Sequence, residues 1–455
     1  MAEIEAHGLL GFVRSVSVFF GQRLVMQVLA GIAQIIIIPL LAPADFGLFL
    51  LLVMIGQFIS PLLSWGIEYS IVKHLSRQHD NPTTCVLILG QHGRLWLLTG
   101  GMSFLVLMGI LASVFWTWEE GFLAPHGVAV SLALGVVMLS ALCNATELFA
   151  SQTLLAMDRV AVSAFVAGGP RSVFFLLAVV AIFFGGNLDI ETALYVQIAS
   201  CMAGSLVALT LYGHLYLSAT RRSATSTTGA SRIIPTRETL GLGIHVMSSY
   251  LLTQAFNNAE ILFVRFIFGA DMTGLIGAAR RIANLANMAA SSFSAILGPR
   301  AAREGIEGTS RNLECVAGVT ALILTVPLLI GALGLWLGND GIVRAILGAD
   351  YVASWPFLVI MLSFLGVRFM FGLPIPIMFV RSLEREVTIS YIMGLLLLFG
   401  FMILAWSGDS PFIAVIGQGL ALCVQFGYLW VMLKRREGIR VDVFAATRCG
   451  RTGKD

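Results

Sequence analysis

The stretch LLAPADFGLFLLL, Leu40 to Leu52, interrupts a run of apolar residues with a proline, an aspartate and a glycine, and then resumes it. A second stretch, FIFGADMTGLIGAA from Phe266 to Ala279, again sets Ala-Asp, a short spacer and Gly-Leu between two apolar runs. Pro43 and Gly47 permit a tight reversal, and Asp45 can cap the helix that follows, where its charge also meets the helix dipole favourably. Two apolar helices joined by a short polar turn, used twice, predict a repeated unit that threads a bilayer.

The composition says the same. Of 455 residues 58% are hydrophobic and only 12% charged, and the mean hydropathy is +0.89. About 20 apolar residues span a bilayer as a helix, because lipid offers no hydrogen-bond partner and the backbone must satisfy itself. Twelve helices are predicted, near 16–41, 46–72, 88–116, 124–153, 160–185, 190–217, 239–268, 272–298, 313–337, 351–379, 388–406 and 410–433. The widest internal polar break, Ser218 to Leu240, separates them into a six-helix bundle at 1–217, a cytoplasmic linker at 218–238 and a second bundle at 239–434, followed by a basic cytoplasmic tail at 435–455. Asp45 and Asp271 then lie in equivalent outer turns, 226 residues apart. The predicted fold class is an all-α polytopic membrane protein. Its even-numbered halves enter the membrane in the same sense and are related by a pseudo-two-fold axis along the membrane normal, with a cleft between them.

Basic residues near a helix end resist crossing the membrane, so their distribution predicts orientation. With the N-terminus inside, 21 Lys and Arg fall on cytoplasmic segments and Arg344 alone falls outside, whereas the outer turns carry Asp45, Glu119, Glu120, Asp189, Glu191, Asp271, Asp340, Asp350 and Asp409. Both termini are expected in the cytoplasm. The net charge of +3 gives no reason to expect a nucleic-acid partner. All six cysteines fall in predicted spans or on the cytoplasmic side, so no disulfide framework is expected. The start has acidic residues before its apolar part and no small-residue cleavage site, so no removed signal peptide is expected. The tail lacks apolar periodicity and reads as an anchor on anionic lipid.

Three stretches carry a resemblance to a known family. PLLAPADFGLFLLL with LLSWGIEYSIVKHLSR resembles that family's first turn and second helix, GADMTGLIGAARRIANLANMAASSFSAILGPRAAR its eighth helix, and IVRAILGADYVASWPFLVIM its turn into the tenth. The family is that of the Wzx-type polysaccharide flippases, of O-antigen or exopolysaccharide, within the multidrug/oligosaccharidyl-lipid/polysaccharide (MOP) exporter superfamily. The resemblance implies a transporter of the cell inner membrane that moves a polyprenyl-diphosphate-linked oligosaccharide from the cytoplasmic to the outer leaflet by alternating access. It implies this lipid-linked oligosaccharide and membrane lipids as partners, with polysaccharide polymerase and chain-length machinery as further candidates, and no cofactor.

An ionised residue at bilayer depth costs at least about 2.5–3.5 kcal/mol on insertion scales and normally faces a bundle interior or a watery cavity. Arg23, Arg171, Arg280, Arg281 and Arg368 are the candidate substrate-binding residues, because a guanidinium pairs with phosphate or carboxylate oxygens through a planar fork and stays charged when desolvated. The competing explanation is structural, an arginine satisfied by carbonyls freed at a neighbouring Pro or Gly, or paired with a buried carboxylate; Arg265 is assigned to it. Glu147, Glu260 and His245 are candidates for coupling to an ion. Helix breakers accompany two of the arginines, Gly168-Gly169-Pro170 just before Arg171 and Gly372, Pro374 and Pro376 just after Arg368.

There is no Gly-rich phosphate loop with a lysine, no zinc-ligand cluster and no nucleophile motif in a loop, so no enzymatic activity is expected. A cation-coupled antiporter of the multidrug-and-toxin-extrusion branch is the alternative, although that chemistry prefers buried carboxylates to arginines. A polysaccharide polymerase or ligase would need a sizeable outer loop, and the longest runs only from about Gly338 to Asp350. A thiol reagent that cannot cross the membrane is predicted to label a cysteine placed at Glu119 or Asp340 in intact cells and to spare one placed at Ser226. The reverse pattern would invert the topology.

Overall fold

The computed structural model describes residues 31–75, 82–117, 123–157, 159–185, 188–224, 235–307, 310–338, 340–381 and 383–448, with a few isolated positions besides. Among these residues the regular structure is helical, with no strand. After a short apolar helix, Gly31–Leu40, the elements are α1 (Pro43–Ser64), α2 (Ile67–Leu75), α3 (Pro82–Thr117), α4 (Val130–Ala156), α5 (Val160–Val166), α6 (Gly169–Gly185), α7 (Ile190–Ala224), α8 (Thr236–Glu307), α9 (Ser310–Gly338), α10 (Gly341–Leu347), α11 (Trp355–Met370), α12 (Pro374–Val380), α13 (Glu384–Ser407) and α14 (Pro411–Glu437).

Nine helices among the described residues are long and apolar enough to cross a membrane, so length and hydropathy alone do not return the expected twelve. Two expected spans are merged in α8, where Gly269 (φ 86°) turns the chain between two helical legs. The expected first and fifth spans are represented by the shorter helices Gly31–Leu40 and Gly169–Phe184. The fifth is short because the chain breaks at Gly168 (φ 91°) between α5 and α6. A similar break at Gly372 (φ 77°) divides α11 from α12. Both lie at the Gly/Pro clusters flanking Arg171 and Arg368, where proline removes a backbone donor and only glycine takes the left-handed turn without strain. A third break, at Trp65 (φ 51°) and Gly66 (φ 67°), separates α1 from α2. The outer segment from Gly338 to Asp350, expected to be a loop, contains α10.

Packing divides the chain into two compact units. Unit 1 comprises residues 1–33 and 49–254, and unit 2 comprises 34–48 and 255–455. The division therefore falls inside α8 at 254/255, not in the polar segment 218–238, and it assigns the short stretch 34–48 to unit 2. The first turns of α8 belong with unit 1 because Gly243 lies backbone to backbone against Gly66: a Cβ on either would overlap the other's main chain. Within unit 1, α4 packs on α7, and α6 and α3 also pack on α7. Within unit 2, α13 packs on α14, and α11 packs on both α9 and α14.

The described part of the tail is folded. After Gly438 (φ 70°) residues 439–448 fold back onto α9, burying Ile439, Val441 and Ala445. The Arg440 amide donates to Glu314 Oε1 at 2.8 Å, and Asp442 accepts from Trp430 Nε1 at 2.8 Å. Gly318 on α9 leaves room for this strap, since a Cβ there would overlap the Ala446 amide nitrogen. No disulfide framework is expected from the sequence; Cys85, Cys143, Cys201 and Cys423 are free thiols, and Cys315 at the start of α9 is disulfide-bonded. Outside the spans, at the start of α7, hydrogen bonds from the Thr192 side chain and from the Thr192 amide, the latter at 2.9 Å, hold the Asp189 carboxyl below the usual range.

Replacing Gly318 by valine should overpack the strap's seat at a cost of about 1–3 kcal/mol. The expected outcome is faster tryptic cleavage after Arg440 in the purified protein, with a lower thermal midpoint. Parent-like protection of Arg440 would contradict the docking of the strap.

Candidate intramembrane arginine sites

In unit 1, Arg171 stands in the first turn of α6, immediately after the break at Gly168. A cation there opposes the positive end of the helix dipole, and two partners on α4 offset this. Arg171 Nη1 donates to Asn144 Oδ1 at 2.5 Å, and Nη2 lies 3.6 Å from Glu147 Oε2. The pair sits in a notch on α7 kept open by Gly204, where a Cβ would lie 2.5 Å from Glu147 Oε1 and 3.0 Å from Arg171 Cβ. Glu147 is buried, whereas the Arg171 side chain keeps 22% of its surface. That surface faces a cavity of about 300 Å³, at the small end of ligand cavities, which Gln57, Ser60, Tyr250 and Gln254 also line. Its wall thus offers one guanidinium, one carboxylate already engaged by it, and neutral hydrogen-bonding groups.

In unit 2 the neighbouring arginines of α8 part company. Arg280 Nη1 lies 3.2 Å from Glu260 Oε2 on the other leg of the same element, and both side chains are largely enclosed. Arg281 donates instead to Gln34 Oε1 at 2.8 Å. Residues one apart on a helix point about 100° apart, so adjacent guanidiniums reach different partners. Arg368, one turn before the Gly372 break, donates to Asn287 Oδ1 at 2.6 Å. Its guanidinium carbon lies 4.0 Å from the centre of the Phe426 ring and 5.0 Å from that of Phe369, a cation–π arrangement. Arg368 Nε has no hydrogen-bond partner among the described residues.

The sequence candidates therefore separate into groups. Arg171 with Glu147, and Arg280 with Glu260, form one ion pair in each unit, so the two carboxylates singled out for coupling are guanidinium partners. Arg281 and Arg368 are held by neutral amides. Arg265 is buried on α8. Arg23 and the side chain of His245 lie outside the described residues. Sequence reasoning missed the amides Asn144, Asn287 and Gln34 that orient the guanidiniums. Their signal was present, because an amide within an apolar span is itself a polar group that needs a partner.

The fold has well-covered structural counterparts. An inward-facing multidrug-resistance MATE family transporter of the MOP superfamily aligns with a TM-score of 0.65 at 15% identity, over 93% of this chain and 96% of that one. A MOP superfamily transporter from Pyrococcus furiosus, described as having a binding pocket of reverse polarity that suggests a different function, aligns with a TM-score of 0.64 at 15% identity, over 92% and 95%. The lipid II flippase MurJ in an inward closed conformation aligns with a TM-score of 0.62 at 12% identity, over 91% and 87%. A comparison with curated protein sequences finds no match. These likenesses give the chain the fold of the MOP superfamily transporters. The family of polysaccharide biosynthesis proteins matches residues 12–303, well over half of the sequence, and the chain belongs to that family.

Proposed function

We propose that the protein is a flippase of the inner membrane, with both termini cytoplasmic, that carries a polyprenyl-diphosphate-linked oligosaccharide from the cytoplasmic to the outer leaflet by alternating access. The observation that carries this reading is the balance of charge at bilayer depth. Glu147 and Glu260 each face an arginine, while Arg281 and Arg368 have neutral partners. The intramembrane side chains described thus sum to a cationic excess, suited to a diphosphate head group. Family membership in polysaccharide biosynthesis supports the class of cargo, and the fold shared with a lipid II flippase supports lipid-linked transport.

The geometry suggests how the phosphates are held. At Arg171 an incoming phosphate oxygen competes with the Asn144 carbonyl and the 3.6 Å contact to Glu147, and an anion is the stronger acceptor. At Arg368 the Nε donor is buried without a hydrogen-bond partner among the described residues, and the Phe426 face keeps the guanidinium plane in place while its edge is exchanged between acceptors. The substrate's lipid stays in the bilayer. An anion moving outward is favoured by an inside-negative potential, at about 2.3 kcal/mol per elementary charge per 100 mV.

A cation-coupled antiporter with the MATE fold is the second reading, favoured by the structural likeness. It requires carboxylates to receive a cationic cargo, and Glu147 and Glu260 are engaged by arginines. The transporter described as having a pocket of reverse polarity supports the same fold serving a different charge of cargo.

Transport of a lipid-linked oligosaccharide in proteoliposomes provides the test. Arg171→Ala and Arg368→Ala each remove a charge-assisted contact, about 1.5–3 kcal/mol, so half-saturation should rise about ten- to hundredfold. Lysine at either position keeps the charge but loses the fork, and should recover only part of the affinity. Parent-like flipping by both alanine variants at normal protein level would overturn the mechanism, and cationic dye efflux that requires Glu260 would replace it with the second reading.

A further inference from the structure

The strap at 439–448 covers more than the start of α9: it also lies against the break between α11 and α12, close behind Arg368 in the chain. A Cβ on Gly372 would overlap the Val441 carbonyl and crowd the Val441 Cβ. Gly372 is in the left-handed region (φ 77°); its amide donates to the Phe369 carbonyl at 2.9 Å, and the Phe371 amide donates to the Arg368 carbonyl at 3.2 Å. Pro374 and Pro376 in α12 bring no amide donors, so the hydrogen-bond ladder of α11 does not carry across the break. The last turn of α11, which holds Arg368, therefore takes its support from what packs on it.

That support is one face of α14 together with Asp442. Phe426 and Trp430, four residues apart, share a face of α14. The Phe426 ring carries the Arg368 guanidinium at 4.0 Å, and the Trp430 ring meets that of Phe371 at 6.1 Å. Trp430 Nε1 donates to Asp442 Oδ2 at 2.8 Å. Asp442 is buried, and it also accepts from Arg440 Nε and Nη2, each at 3.3 Å, and from the Ala445 amide at 3.1 Å. One carboxylate thus ties the strap to the indole that bears on the residue before Gly372. All of these residues belong to unit 2.

We propose that the strap is the positioning element of the Arg368 site: Val441 and Asp442 fix the α11–α12 break, and through it the place of the guanidinium against Phe426 and Asn287. The inference rests on the transport reading above for what Arg368 binds, whereas the clasp itself is independent of the cargo. Arg368 meets the anion; Val441, Asp442 and Trp430 act through it. Undocking the strap loosens the last turn of α11, and the site loses affinity without losing its charge.

Two measurements on the full-length protein test this. Backbone hydrogen exchange over 365–376 reads the break with no cargo present. Asp442→Ala, and Trp430→Phe, which keeps a ring and removes the indole donor, are each expected to speed it about two- to tenfold, with exchange in α6 of unit 1 at the parent rate. Trp430→Phe decides should Asp442→Ala fail to fold. In proteoliposomes with a lipid-linked oligosaccharide, Asp442→Ala is expected to raise half-saturation about three- to tenfold and to hold the maximal rate within about twofold. In an Arg368→Ala background the same substitution should add nothing. In an Arg171→Ala background it should multiply in full, because the partners of Arg171, Asn144 and Glu147, belong to unit 1. Parent-like exchange over 365–376 in both variants, or full multiplication with Arg368→Ala, would overturn the clasp. Faster exchange in a protein that never moves lipid-linked oligosaccharide would leave the clasp standing and reject the cargo assigned above.

Discussion

A group that is charged at bilayer depth must be answered by its own chain, and most of what distinguishes this protein follows from that constraint. Helices satisfy the backbone without help, so the expensive decisions are confined to a handful of guanidiniums. Four of them are met in a particular way: by a carboxylate at Arg171 and Arg280, and by an amide at Arg281 and Arg368. The carboxylates neutralise, whereas the amides only orient. A pair of the first kind costs little field and contributes little attraction for an anion; a cation of the second kind keeps its full charge available. Unit 2 holds the two amide-bound arginines, and unit 1 holds the cavity in which one guanidinium remains partly accessible.

The helix breaks are the other side of the same economy. Near Arg171 and near Arg368 the chain leaves the helix at a glycine in the left-handed region. A straight helix would fix each guanidinium at the height and direction set by its register. Breaking the helix beside it lets the side chain leave from a chain end, where Asn144 on α4 or Asn287 on α8 can reach it.

Much of this was legible in the residues. Apolar run length gave the helices and their approximate ends, and the Gly/Pro clusters at 168–170 and 372–376 marked breaks where the structure has them. The repeated Ala-Asp turns marked two positions that prove to touch, which a pattern of spacing cannot reveal. Partner choice was not legible either. Arg280 and Arg281 are adjacent and chemically identical, and only the folded path decides that one faces Glu260 and the other Gln34. The division at 254/255 also escaped the sequence, because the polar segment 218–238 is a signal of solvent exposure, whereas the packing of α8's first turns is decided by two glycines, Gly66 and Gly243, that carry no polarity at all. The strap at 439–448 was hidden because basic side chains dominate its composition while its few apolar residues are the ones that face α9.

That strap has a consequence for how unit 2 is made. Glu314, buried in the finished fold, accepts from the amide of Arg440, 126 residues further along. At translation speeds of 5–20 residues per second the interval is roughly 6–25 seconds. During it the helices from α10 to α14 are still being synthesised and inserted, and the Arg440 amide does not yet exist. The turn of α9 that carries Glu314 therefore lacks this bond while its neighbours enter the bilayer. The strap seals that turn last, and unit 2 acquires an order of assembly.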